Sequence, residues 1–190
     1  MANKIHLHDN FEVNFQLKGF NSILIGIYIF LAAYVYKYVL DSYLIDDNPL
    51  ALLSPQLIEI LFISVAFFVT LLSSLALFFS GKRKAKRFQF KLWNGKTKTA
   101  FLKYLLGIFI ISISVLTLKN YGNINFITPA FLFLYGLLLL IFKNKGSKSL
   151  YILISLCLLL GVLCILIPTY WYSSLTIVAI AHITYGVVVK

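Results

Sequence analysis

The sequence predicts an all-α integral membrane protein, a six-helix transmembrane bundle preceded by a short amphipathic N-terminal segment. Three observations carry that prediction. The 190 residues are 61% hydrophobic and only 12% charged, with a mean hydropathy of +0.91, whereas soluble domains are about half apolar. The apolar residues fall into six runs, each near the ~20 residues that a ~30 Å hydrocarbon core asks of a helix. The charge is one-sided, 17 Lys and Arg against 6 Asp and Glu for a net +11, and on so apolar a chain this reads first as an orientation signal. A soluble fold is thereby excluded. The stretches between runs are shorter than the ~50 residues of a separate domain, so one membrane domain is expected.

Residues 1–20 form the expected cytoplasmic amphipathic segment, and residues 21–190 the six-span domain. From Lys4 to Lys18 every even position is polar and every odd one except Asp9 is apolar. Period two favours an extended segment on the inner interface, turning at Asp9 and Asn10, over a short amphipathic helix. His6 and His8 would share a face there, too few ligands for a metal site. The first apolar run, Asn21–Leu40, lacks a small-residue cleavage site and reads as an uncleaved span. A polar loop holding Asp41, Asp46, Asp47, Asn48, Pro49 and Pro55 leads to the second, Gln56–Ser80.

Next comes a basic loop, 81–99, with the sequence GKRKAKRFQFKLWNGKTKT. It has eight Lys and Arg, no acid, and Phe88, Phe90 and Trp93 interleaved. Ala100–Leu118 is the third span. Phe126–Phe142 is the fourth, with Pro129 in its first turn, where a missing N–H costs little. Ser149–Ile167 and Tyr170–Val189 are the fifth and sixth, divided by Pro168. With the N-terminus inside, fourteen Lys and Arg lie in inner segments and only Lys119 in an outer one. The positive-inside rule therefore places both termini in the cytoplasm.

Charge within a span costs at least ~2.5 kcal/mol near the bilayer centre, so ionisable residues there are candidates for function. Lys37 and Glu59 sit at matching depth, each about one turn from the outer ends of spans one and two. Snorkelling for Lys37 and helix-start capping for Glu59 are the leading expectation, an ion pair between them the second, and a transport or proton site the third. His182 lies deeper and should face inward, because lipid offers imidazole no hydrogen bonds. Tyr185 shares its helix face, and Tyr135 falls at similar depth in span four, so a polar cluster of His182, Tyr185 and Tyr135 is expected. Cys157 and Cys164 are seven positions apart on one helix, about 10 Å, too far for a disulfide.

The basic loop suits anionic headgroups, each Lys or Arg near the surface contributing ~1 kcal/mol. Its candidate lipid- or partner-binding residues are Lys82, Arg83, Lys84, Lys86, Arg87, Lys91 and Trp93. Anionic lipid is the expected partner, a protein or a second copy of the chain comes next, and nucleic acid last. The metalloprotease, nucleophile-elbow, P-loop and dinucleotide motifs are all missing, so neither catalysis nor a cofactor is expected. An offset of 50 residues aligns Tyr135-Gly136 with Tyr185-Gly186, but the identities are few and cheap in Leu- and Ile-rich sequence, so a parallel repeat of spans three and four in five and six is the lesser expectation.

Three stretches of the C-terminal half, N-F-I-T-P-A-F-L-F-L-Y-G (Asn125 to Gly136), L-G-V-L (Leu160 to Leu163) and A-H-I-T-Y-G (Ala181 to Gly186), resemble a group of small uncharacterised bacterial multi-span inner-membrane proteins. The chain departs from that group at Tyr170–Ser173, where Gly and Trp are usual. The resemblance implies a multi-span bundle in a bacterial inner membrane and no activity. The expected function is that of a non-enzymatic accessory or docking component with a basic cytoplasmic face. A small transporter or pore is the second class, and a membrane component of a stress or antiviral defence system the third.

Overall fold

Among the described residues, six α-helices occupy the six apolar runs. A computed structural model describes residues 19–44, 49–87, 89, 92–142 and 150–189. The N-terminal segment with His6 and His8, and Lys91 of the basic loop, lie outside the described residues. The helices are α1 (Phe20–Tyr43), α2 (Pro55–Arg87), α3 (Gly95–Asn120), α4 (Ile127–Ile141), α5 (Leu150–Leu166) and α6 (Trp171–Val188). With their flanking 3₁₀ turns, all but α5 are long and apolar enough to cross a membrane. The 17 residues of α5 reach about 26 Å at 1.5 Å per residue.

Local chemistry sets the helix ends. Pro55 opens α2, where its missing N–H is no loss. The Asn94 side chain accepts a 2.8 Å hydrogen bond from the Thr97 N–H and caps α3. At the far end of α3, Gly122 takes φ +73°, and the Gly122 and Asn123 N–H groups close back on the Lys119 and Leu118 carbonyls, both at 2.9 Å. This reversal requires a left-handed residue, which glycine supplies without strain. Between α5 and α6 a 3₁₀ turn at Pro168–Tyr170 reverses the chain.

One expectation is corrected here. The basic segment 81–99 is largely helical: α2 continues to Arg87 and α3 resumes at Gly95. Lys, Arg and Ala are strong helix formers, and cations at a helix C-terminus are favoured by its dipole. Leu77, Gly81 and Ala85 form a buried stripe at i+4 spacing, while Lys82, Arg83, Lys84, Lys86 and Arg87 are exposed around it.

The Gly19 N–H donates to the Val189 carbonyl at 2.8 Å, so α1 and α6 run antiparallel with their ends clasped. Around the bundle the order is α2, α1, α6, α5, α4, α3, and the α1–α6 and α4–α5 contacts are the most extensive. Small residues let α1 and α6 come close. A Cβ on Gly26 would lie 2.6 Å from the Ala179 carbonyl oxygen, and one on Gly186 2.6 Å from that of Gly19, the close approach that small-xxx-small patterns permit. The core lies among α1, α4, α5 and α6, where Leu132, Cys157, Cys164, Val178 and Ala179 are fully buried. Only 6% of the apolar stretches of α2 and α3 is buried, against 28–33% for α1, α4 and α6, so α2 and α3 stand at the periphery. They approach each other less closely than the other neighbours do and meet through side chains.

The chain termini of the bundle, Gly19 and Val189, share one end with the α2–α3 connection, hereafter the basic end. The Pro49–Leu52 turn, Gly122 and Pro168–Tyr170 form the opposite end.

Candidate functional site

A hydrogen-bonded node in the core joins three helices. His182 of α6 is fully buried, as is Ser22 of α1. The Ser22 hydroxyl donates to the His182 carbonyl at 2.8 Å and also lies 3.2 Å from His182 Nδ1. Its one proton is spent on the carbonyl, so Nδ1 must carry the ring proton and donate to Ser22 Oγ. Nε2 is then the acceptor, and the Tyr135 hydroxyl of α4 donates to it at 2.8 Å. Among the described residues, every buried side-chain nitrogen and oxygen has a partner. The node is therefore a three-helix fastening with no donor left pointing at a ligand.

Of the expected cluster, the structure brings Tyr135 to His182, while Tyr185, one turn further along α6, is buried and lines the cleft described next. Ser22 was not among the expected members, because a serine at the start of a span looks like an interfacial residue. Its position four residues before Gly26, with His182 four before Gly186, was the available signal: each polar residue lies one turn from a close-approach glycine. The tyrosines of the two Tyr-Gly pairs both line the cleft, but the glycines differ: a Cβ on Gly136 would make an ordinary 3.4 Å contact with Cys157, whereas one on Gly186 would lie 2.6 Å from the Gly19 carbonyl oxygen. Cys157 and Cys164 are free thiols, and Cys164 Sγ donates to Ser174 Oγ at 3.0 Å.

The cleft, about 140 Å³, lies between the α2–α3 pair and the other four helices. Val69, Ile111 and Phe131 line its middle, and Leu77, Tyr104 and Phe142 its basic end. Much of its polar lining is already engaged. Thr70 Oγ1 donates to the Ala66 carbonyl at 2.8 Å, the Tyr104 hydroxyl is 2.8 Å from Ser74 Oγ, and Tyr135 is held by His182. What the cavity presents is mostly hydrocarbon. No three of His, Cys, Asp and Glu converge on one point among the described residues.

The Lys37–Glu59 pair, the second expectation for these residues, does not form. Lys37 bonds Asp41 on its own helix at 2.8 Å and stands 5.4 Å from the Tyr172 ring centroid, while Glu59 pairs with Lys119 of α3. Matching depth did not suffice, because Lys37 has a carboxylate one turn away and α3 brings Lys119 beside Glu59. Reversing either charge alone, Glu59→Lys or Lys119→Glu, should lower stability in detergent by about 0.5–1 kcal/mol, the range for half-exposed pairs. The double reversal should recover most of that loss, whereas Glu59→Lys combined with Lys37→Glu should recover none.

Trp93 is held rather than free. Its ring, 41% exposed, stands edge-on to Phe101, with centroids 5.6 Å apart, and 6.3 Å from Phe78, so it ties the α2–α3 connection to both helices. Searches against protein-family models, curated proteins and solved structures find no match to this chain.

Proposed function

We propose that the chain is a non-enzymatic, six-span protein of a bacterial inner membrane with both termini in the cytoplasm. It acts as an accessory component that docks through its basic end. The observation that carries this reading is the asymmetry of the α2–α3 pair. At the basic end the two helices project five exposed cations of α2, with Lys96 and Lys98 of α3. At the opposite end they hold a single matched pair, Glu59 and Lys119. The 33 residues of α2 span about 50 Å, well over a ~30 Å hydrocarbon core, so its charged last turns extend into the headgroup region and beyond. Trp93 at one end and Tyr170, Trp171 and Tyr172 at the other suit the two aromatic belts of a spanning protein.

Cysteine labelling tests orientation and docking together. Both native thiols are fully buried, so background labelling should be low. In intact spheroplasts a membrane-impermeant maleimide should label Asn123→Cys and spare Lys84→Cys until the membrane is opened. The reverse pattern overturns the orientation. Replacing Lys82, Arg83, Lys84, Lys86 and Arg87 by Gln should abolish cross-linking to cytoplasmic partners, and an unchanged set of cross-links overturns docking. Solute flux through liposomes carrying the wild-type chain would replace this reading with a transporter.

A further inference from the structure

We propose that the cleft holds one acyl chain of an anionic phospholipid from the cytoplasmic leaflet, with the headgroup seated on the basic ends of α2 and α3. The inference rests on the membrane reading above and adds to it a defined site.

Placement comes first. The cleft is off-centre, running from the middle of the bundle to its basic end, where Leu77 and Tyr104 line it. Lys82 follows Leu77 by five residues, about 7.5 Å along α2, and Lys98 precedes Tyr104 by six, about 9 Å along α3. These cations therefore stand a turn or two beyond the cleft's basic end, at the level where the phosphate of a lipid with its chain in the cleft would lie. One molecule can satisfy both features only if it is anionic at one end and apolar along the rest.

Size narrows the occupant further. About 140 Å³ is close to the ~150 Å³ apolar cavities that stay dry and accept a benzene. That is room for a segment of one hydrocarbon chain and too little for a helix. The lining suits this, since Ile25, Ile29, Ile108 and Leu139 face the space and the Thr70, Tyr104 and Tyr135 hydroxyls are bonded within the protein.

The two parts do different work. The acyl chain of any phospholipid packs against this apolar lining alike, so preference among lipids comes from charge. Residues 81–99 contain eight Lys and Arg and no acid, and each cation near the surface raises affinity for an anionic headgroup roughly fivefold. The cleft supplies register: it keeps that lipid in place while others exchange. The peripheral, loosely joined α2 and α3 give the chain its lateral way in.

The test uses the full chain purified in mild detergent and examined by native mass spectrometry after titration with phosphatidylglycerol or phosphatidylcholine. One phosphatidylglycerol per chain should be retained, at least tenfold over phosphatidylcholine. Filling the cleft with Ile108→Trp should cut that retention about tenfold while helicity and monodispersity stay unchanged, and Ser112→Phe provides a second filler should the first fail to fold. Equal retention by the filled variants overturns the site in favour of surface charge alone. Equal retention of the two lipids, or displacement by glycerol 3-phosphate, which has no acyl chain, overturns it as well. Maleimide labelling of Lys84→Cys separates the two levels: normal labelling without retention sinks the lipid site only, and inverted labelling sinks the orientation on which it rests.

Discussion

Gly26→Val should be among the most destabilising single substitutions in this protein, lowering stability by about 3 kcal/mol. The added Cβ would meet the Ala179 carbonyl oxygen at 2.6 Å, Ile183 Cγ1 at 2.8 Å and His182 Cβ at 3.0 Å. A side-chain tip could swing aside, but a helix carbonyl cannot, so α1 must back away from α6. Overpacking of this kind costs ~1–3 kcal/mol, and here the displacement also draws Ser22 away from His182. Gly186→Val should behave alike, since its Cβ would meet the Gly19 carbonyl oxygen at 2.6 Å and the Ile23 nitrogen at 2.9 Å. Both substitutions push the same two helices apart, so the double variant should lose less stability than the two single losses combined. Gly95→Ala is the control, because nothing lies within 4 Å of a Cβ there and alanine favours the helix. Unfolding in detergent, followed by circular dichroism, reads all three. A Gly26 variant as stable as Gly95→Ala would show that α1 and α6 do not touch at this point.

The second large effect is expected at His182. His182→Leu strips the Tyr135 hydroxyl and Ser22 Oγ of their ring partners in a fully buried site. Leaving a buried polar group unpaired costs ~1–3 kcal/mol, whereas interhelical hydrogen bonds in membranes average only ~0.6 and reach ~1.7 kcal/mol. The upper half of that spread applies here, because the fully buried ring bonds α1 and α4 at once and the Tyr135 hydroxyl loses its acceptor. We expect a loss of about 2 kcal/mol for His182→Leu and about 1 kcal/mol for Tyr135→Phe, whose hydroxyl lies beside the cleft and whose ring stays stacked on Phe131 at 5.6 Å. The double variant should be less destabilised than the two losses combined by about 1 kcal/mol, as two groups sharing one bond require. Strict additivity would mean that the two side chains do not interact.

Much of the architecture was legible because lipid-like composition and span length are coarse, robust signals. The six runs are the six helices, and Pro168 and Pro129 fall where proline does least harm. Azimuth was not legible. Depth along a span follows from residue counting, but which face of α1 meets which neighbour depends on packing, and so Glu59 found Lys119 rather than Lys37. The basic segment misled for a different reason: its charge reads as loop, while its Lys, Arg and Ala residues favour helix and continue α2 to Arg87. Within the site, His182 and Tyr135 stood out as polar residues in apolar runs. Ser22 did not, since its role depends on a contact made across almost the whole chain.

That contact has a consequence for biosynthesis. Ser22 and His182 are 160 residues apart in sequence, and the most extensive interface of α1 is with α6, which is synthesised long after it. At ~5–20 residues per second, roughly 8–30 s pass between them. During that interval α1 must wait with Ser22, Gly26 and its glycine-lined groove uncovered, beside only α2 and whatever insertion machinery shelters it. A chain cut short before Trp171 keeps α2 beside α1 but loses the most extensive interface of α1, together with the His182 partner of Ser22.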